Sequence, residues 1–113
     1  MEYDSILDKW QEECGVFGIY DKTVPVGTYI YEGLLSLQHR GQESCGIVVA
    51  GANGFTCHKR MGLVRDVFSY NMFAGHAGIG HVRYSTSGGN NAQNIQPLVM
   101  DSKFGPIALA HNG

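Results

Sequence analysis

Short apolar runs bounded by glycines are the feature that most limits what this chain can fold into. Two of them begin at residues 15 and 45, with a length typical of buried strands, and a further strand is indicated at 77–84, where His81 and Arg83 alternate with Val82 and Tyr84. Sixteen glycines, about twice average usage, permit tight turns and close approach of one backbone to another. Together with an Ala-Asn-Gly turn at 52–54, the runs predict strands at 15–20, 45–50, 55–60, 77–84, 98–101 and 106–111.

Two segments between these strands have helical periodicity. Ile30, Leu34 and Leu37 share one face of a helix predicted over residues 27–39, and a second apolar spacing predicts a shorter helix over 64–72. A loop rich in Ser, Thr, Gly and Asn is predicted over 85–96. Apolar strands with helices between them predict an α+β layered domain.

Composition limits the classes of protein to which the chain can belong. At 113 residues it has room for at most one small domain. Its formal charge of −2 gives no electrostatic reason to bind nucleic acid or a membrane, and no apolar stretch approaches the ~20 residues of a transmembrane helix. The start of the chain lacks the pattern of a secretory signal, and the three cysteines are odd in number, without zinc-ligand spacing. We therefore expect reduced thiols in a cytoplasmic protein, and no metal site.

Cys14 is a candidate nucleophile because of what precedes it. Residues 1–13 are polar and partly acidic, and their removal would leave Cys14 with a free α-amine. The ordinary pKa of such an amine, about 7.7–8.0, lies close to the ~8.5 of a free thiol, so the amine can accept the thiol proton near neutral pH. The alternative is that Cys14 is a small buried hydrophobe at the start of a strand.

Three further segments carry functional groups, and each has an ordinary structural alternative. In QHRGQE (38–43), Arg40 is either a solvated cation at a helix end or part of a site. In GHVRYST (80–86), Arg83 and Thr86 either bind a carboxylate or belong to a common strand-to-loop exit. In HNG (111–113), Asn112 and Gly113 form either a hairpin turn or an oxyanion hole. None of the three segments alone distinguishes a functional site from ordinary structure.

Taken together, ECGVFG (13–18), LQHRGQES (37–44), GHVRYST and HNG resemble the glutaminase domain of the amidophosphoribosyltransferase family, which opens de novo purine synthesis. The resemblance spans residues 12–113 in the family's order. The QHRGQE stretch distinguishes the chain from glucosamine-6-phosphate synthase and asparagine synthetase, which share the cysteine and related arginine motifs. The acidic leader resembles that of the branch whose propeptide is removed.

The resemblance implies an N-terminal-nucleophile hydrolase fold, with four αββα layers and stacked antiparallel sheets, incomplete at the C-terminus. It also implies a role in glutamine hydrolysis for six residues. These are Cys14 as the nucleophile that forms a glutamyl thioester, Arg83 and Thr86 as ligands of the glutamine α-carboxylate, Asn112 and Gly113 as the oxyanion hole, and Arg40 as a support of the cysteine.

The same resemblance sets expectations for domain organisation. Residues 1–13 are expected to be a propeptide and 14–113 a partial class II glutamine amidotransferase domain, inactive by itself. Further strands are expected to pair with 77–84 or 106–111. A phosphoribosyltransferase domain, with its phosphoribosyl pyrophosphate and magnesium sites, is expected outside this chain, as are most ligands of any 4Fe-4S cluster. Neither Cys45 nor Cys57 is expected to be a ligand. The parent protein is expected to be a homo-oligomer that makes 5-phosphoribosylamine.

Two alternatives stay open at this point. Another N-terminal-nucleophile amidotransferase, of the glucosamine-6-phosphate synthase or asparagine synthetase type, would keep Cys14, Arg83, Asn112 and Gly113 but deliver ammonia to a different acceptor. A non-catalytic glutamine-binding module would never lose residues 1–13.

Removal of residues 1–13 should be required for glutamine hydrolysis, because only an N-terminal Cys14 has an α-amine to accept its proton. Intact mass and glutaminase turnover of the full-length protein, measured on the same sample, check this. A chain translated from a removable methionine directly before Cys14 is the control and should be active. Turnover by protein that demonstrably keeps its leader would contradict the expectation.

Overall fold

The computed structural model of the chain describes residues 14–38, 42–69, 73–84 and 94–111. Strands and helices alternate in the first part of the chain, and a separate hairpin follows. In chain order the elements are β1 (Gly15–Tyr20), α1 (Gly27–Leu37), β2 (Gln42–Gly51), β3 (Gly54–Met61), α2 (Val64–Val67), β4 (Ala77–Tyr84), β5 (Leu98–Ser102) and β6 (Gly105–Leu109).

Strands β1 to β4 form one antiparallel sheet in the order β1-β4-β2-β3. The predicted turn joins β2 to β3, and Gly54 adopts a φ of +112° there, a conformation that glycine tolerates without steric cost. β4 is central, because it pairs with β1 on one side and β2 on the other. Both edges of that strand are therefore occupied, so of the two places expected for further strands, 77–84 or 106–111, the first is excluded.

Helix α1 packs on one face of this sheet, against glycines of β4. Ile30 and Leu34, four residues apart, are fully buried. A Cβ at Gly78 would lie 2.5 Å from Ile30 Cδ1, and one at Gly80 would lie 3.0 Å from Leu34 Cδ1. Glycines on β4 thus let the helix approach the sheet closely, and the core forms between the helix and the sheet. In the described part of the chain, no helix has the length and apolar character needed to cross a membrane.

The hairpin β5–β6 lies over the opposite face of the sheet. Side chains alternate along β4, so His81 points away from α1, and its ring contacts the carbonyl of His111, just after β6. Ala108 of β6 lines a cavity together with Val48 and Ile79 of the sheet. Helix, sheet and hairpin therefore lie in three successive layers. The predicted α+β class, with antiparallel strands, is confirmed.

Most predicted elements occur near their expected bounds. Strands 15–20 and 77–84 match, and β2 begins three residues before the predicted 45. Helix α1 ends at Leu37, whereas the predicted helix ran to His39, which lies outside the described residues. β6 ends at Leu109 instead of at residue 111.

The helix predicted over 64–72 is much shorter than expected. It ends at Val67, and Phe68 follows in an extended conformation with a ψ of 163°. The Phe68 ring packs edge-on against His58, with ring centroids 5.5 Å apart, and lies 6.3 Å from the ring of Phe73. The helical spacing of Phe68 therefore reflects its burial in the core and not a continued helix.

Gly78→Ala should destabilise the protein by about 1–3 kcal/mol, because the new methyl group would also lie 2.9 Å from the backbone oxygen of Val48. Gly18→Ala on the adjacent strand is the matched control. Its Cβ would meet nothing closer than Ile79 Cγ2 at 3.6 Å, so we expect a change within about 0.5 kcal/mol. Urea unfolding of the full-length variants measures both, and equal effects would contradict the packing argument.

Candidate active site

The predicted nucleophile and the predicted carboxylate-binding arginine lie at one end of the four-stranded sheet. Gly15 of β1 pairs with Val82 of β4, so Cys14, one residue earlier, is level with Arg83. On its other side Arg83 pairs with Ser44 of β2. Neighbouring strands are about 4.8 Å apart, which places the three residues in a short row across the sheet. Cys14 is half-buried, an environment in which a thiol is both shielded and reachable.

Glu43 is the ion-pair partner of Arg83. Its Oε1 lies 3.6 Å from Arg83 Nε, and the two side chains are only 13% and 21% exposed. Glu43 occupies an irregularity of β2, where the register shifts between Gln42 and Ser44. Its carbonyl accepts a hydrogen bond from the Gly62 N–H at 2.8 Å, which anchors this bulge. The bulge thus aims a carboxylate at the guanidinium.

Tyr84 adds a buried phenol to the surroundings of Cys14. Burial, and to a smaller extent the negative charge of a nearby Cys14 thiolate, raises the pKa of Tyr84 to about 12. The phenol is only 4% exposed and keeps its proton throughout the neutral range. It therefore adds no second negative charge near the cysteine.

The end of helix α1 also reaches this site. A Cβ at Gly15 would lie 2.9 Å from Val82 Cγ2 and 3.1 Å from Leu37 Cδ1, so only a glycine fits directly after Cys14. Gln38, which follows the helix, accepts a hydrogen bond from the Arg65 N–H at 3.4 Å. The last residue of α1, Leu37, thus packs against the residue that directly follows the nucleophile.

His81 is a buried polar residue two positions before Arg83. It is 1% exposed, and its Nε2 lies 3.2 Å from the carbonyl oxygen of His111. The pKa of His81 is lowered to about 4, chiefly by burial. The hydrogen bond to His111 opposes this shift, while the charges of His111 and Arg83 add to it. The ring is therefore neutral near pH 7 and donates its Nε2 proton to the carbonyl.

The structure thus brings together two of the six predicted site residues, Cys14 and Arg83. The other four, Arg40, Thr86, Asn112 and Gly113, lie outside the described residues, and their roles stay predictions. Sequence reasoning assigned no role to Glu43, Tyr84 or His81. The sequence signal that could have indicated Glu43 was its place in the QHRGQE motif. For Tyr84 and His81 the signal was their place on the strand that carries Arg83.

In the described part of the chain, no metal site coincides with this cluster, and an apolar cavity lies elsewhere on the sheet. Across the described ranges, no three His, Cys, Asp or Glu side chains converge in a way that would hold a metal ion. All three cysteines are free, and Cys45 is buried whereas Cys57 is exposed. A cavity of about 530 Å³ lies at the other end of β1 and β4, lined by apolar residues that include Tyr20 and Ala77.

Comparison with known proteins identifies relatives of the chain. It is 50% identical to the amidophosphoribosyltransferase of the cyanobacterium Synechocystis over 109 residues, which cover 94% of this chain and 22% of that protein. Among solved structures, an allosteric regulatory enzyme of purine biosynthesis is similar with a TM-score of 0.69 and 44% identity, over 82% of this chain and 21% of the other. The Bacillus subtilis glutamine phosphoribosylpyrophosphate amidotransferase, solved with ADP and GMP, is similar with a TM-score of 0.62 and 40% identity, over 87% of this chain and 21% of the other. No protein-family model matches the chain.

These similarities place the chain in the glutamine amidotransferase class. Within that class it belongs to the amidophosphoribosyltransferase family and matches the N-terminal region of its members. The chain spans about a fifth of the length of the curated relatives it matches.

Acidification should destabilise the protein through His81. The unfolded chain takes up a proton near the ordinary pKa of 6.5, whereas the folded protein resists it down to about 4, so stability falls as the pH drops through this window. His81→Gln keeps an N–H donor but does not titrate. Urea unfolding at pH 7 and pH 5 should therefore show a smaller loss for this variant than for the parent. Equal losses would contradict a buried, neutral His81.

Proposed function

We propose that the chain carries the glutaminase half of an amidophosphoribosyltransferase. The observation that carries the proposal is the register of β1 on β4, which puts Cys14 level with Arg83 at one end of the sheet. In glutamine, three carbons separate the α-carboxylate from the side-chain amide. A guanidinium and a thiol on adjacent strands suit a substrate that is held at one end and attacked at the other.

The proposed reaction begins with transfer of the Cys14 thiol proton to its own α-amine, once residues 1–13 have been removed. The sulfur then bonds to the side-chain carbonyl carbon of glutamine. The carbon–nitrogen bond breaks, ammonia leaves with the proton from the α-ammonium group, and a glutamyl thioester remains on Cys14. Water hydrolyses the thioester to glutamate and regenerates the thiol.

The remaining proposed roles surround these two groups. Thr86 assists Arg83 in binding the α-carboxylate, the Asn112 side chain and the Gly113 N–H stabilise the oxyanion, and Arg40 supports the cysteine. Glu43 fixes the Arg83 guanidinium, because an ion pair with little exposure restricts its rotation. The neutral Tyr84 and His81 side chains leave Arg83 as the positive charge that faces an incoming carboxylate.

The proposed domain organisation follows the family. Residues 1–13 form a propeptide, and residues 14–113 form part of an N-terminal-nucleophile domain with four layers. The three layers formed by α1, the sheet and the β5–β6 hairpin support this arrangement. Ammonia then replaces pyrophosphate on phosphoribosyl pyrophosphate and gives 5-phosphoribosylamine, in a phosphoribosyltransferase domain of a cytoplasmic homo-oligomer.

Any magnesium ion or 4Fe-4S cluster is assigned by this proposal to other parts of the protein. Cys45 and Cys57 do not suit a cluster, because their side chains lie on opposite faces of the sheet. Cys57 pairs with Val48 and shares its face, and Val48 is three residues from Cys45 on β2, so the two alternate to opposite faces. No step of the glutaminase reaction requires such a group.

Cys14→Ala should abolish glutamine-dependent synthesis in the full-length protein and leave synthesis with added ammonia intact, because the acceptor reaction does not need the thiol. Arg83→Ala should mainly raise the KM for glutamine, since a carboxylate without its guanidinium loses charge-assisted hydrogen bonds. Steady-state kinetics with glutamine and with ammonia measure both effects.

Arg60→Ala is a matched control for the loss of an arginine. Arg60 lies on the outer strand β3, and its guanidinium contacts the neighbouring Lys59 carbonyl at 2.8 Å. We expect its KM for glutamine to be unchanged. An unchanged KM in Arg83→Ala would overturn the carboxylate assignment, and glutamine-dependent activity in Cys14→Ala would overturn the proposed function.

A further inference from the structure

The main chain at His111 is held from both sides by side chains of two different layers. Its N–H donates a hydrogen bond to Gln96 Oε1 at 2.7 Å, and its carbonyl accepts one from His81 Nε2 at 3.2 Å. His81 belongs to β4, an inner strand of the sheet, whereas Gln96 lies just before β5. Both polar groups of one peptide segment are thus fixed relative to the strand that also carries Arg83.

Close packing fixes the two side chains that make these contacts. His81 is 1% exposed, and its register partner on β2 is Gly46. A Cβ at Gly46 would collide with the backbone oxygen of Gln96, so the absence of a side chain there lets Gln96 lie directly against the sheet. Pro97, the next residue, is fully buried. We call His81 and Gln96 the His111 clamp.

The clamp requires a particular protonation state of His81. A carbonyl oxygen can only accept, so Nε2 must carry the proton. Because burial keeps the ring neutral near pH 7, this proton is present without a positive charge beside Arg83. Gln96 supplies the complementary acceptor, so the two contacts have opposite directions and define both the position and the orientation of the peptide.

We propose that His81 and Gln96 are positioning residues for glutamine hydrolysis. They fix the main chain at His111, and Asn112 and Gly113 follow it directly in sequence. The inference rests on the proposed function, in which those two residues stabilise the oxyanion. A displacement of about 1 Å can cost on the order of 100-fold in rate, so an anchor one residue away controls whether the donors meet the oxyanion.

The test uses paired variants of the full-length protein. Gln96→Met removes the acceptor at similar length, and Gln96→Glu retains a side-chain oxygen that accepts from the His111 N–H. We expect the kcat with glutamine to fall roughly tenfold to hundredfold in Gln96→Met, less than the ~10²–10³-fold typical of removing an oxyanion donor itself. The KM for glutamine and the rate with added ammonia should stay within about twofold.

His81→Gln and His81→Leu form the second pair. The Gln side chain offers an N–H donor, so its kcat should exceed that of the Leu variant, and Gln96→Glu should likewise recover most of the activity lost in Gln96→Met. An unchanged kcat in Gln96→Met would overturn the proposal. So would a loss that the conservative variants do not restore, or a loss that falls equally on the KM or on the ammonia-dependent rate.

A parallel measurement separates failure of this inference from failure of the proposed function. If Cys14→Ala keeps its glutamine-dependent activity, the glutaminase assignment is wrong, and the positioning role of the clamp is wrong with it. If Cys14→Ala is inactive with glutamine while Gln96→Met retains its full kcat, only the clamp is wrong.

Discussion

Backbone pairing of β4 with strands on both of its sides is the constraint on which the rest of this structure depends. It sets Cys14 level with Arg83 across one ladder and Ser44 level with Arg83 across the other. A slip of one residue would exchange the two faces of β4, because side chains alternate along a strand. Gly78 and Gly80 would then leave α1, and bulkier residues would meet the helix. Core packing thus fixes the register, and the register assembles the site.

The electrostatics of the site follow from which buried groups are neutral. Burial keeps the His81 ring neutral and the Tyr84 phenol protonated near pH 7, so neither contributes charge beside the nucleophile. The charged pair is Arg83 with Glu43, and its low exposure restricts both side chains. A pair that keeps one guanidinium oriented is well suited to a carboxylate ligand, because less rotational freedom is lost when the ligand binds.

Sequence alone predicted the parts of the fold that depend on local pattern. The strands at 15–20 and 77–84 have the predicted bounds, since a short apolar run in the first and alternating side chains in the second are local patterns typical of strands. The prediction of a helix over 64–72 was wrong, because the spacing of Phe68 arises from its packing against His58 and Phe73 and not from a continued helix. Of the candidate site, Cys14 and Arg83 were predictable from motifs. Their partners depend on a β-bulge and on the stacking of layers, which no local pattern reveals.

The most direct test of the account is the site of modification by an electrophilic glutamine analogue, such as a chloroketone that retains the α-amino and α-carboxyl groups. Peptide mapping by mass spectrometry, on full-length protein that begins at Cys14, locates the label among the three cysteines. The account predicts labelling at Cys14 that excess glutamine prevents. Labelling of the exposed Cys57 instead, or labelling of Cys14 that glutamine does not slow, would contradict a glutamine site at this end of the sheet.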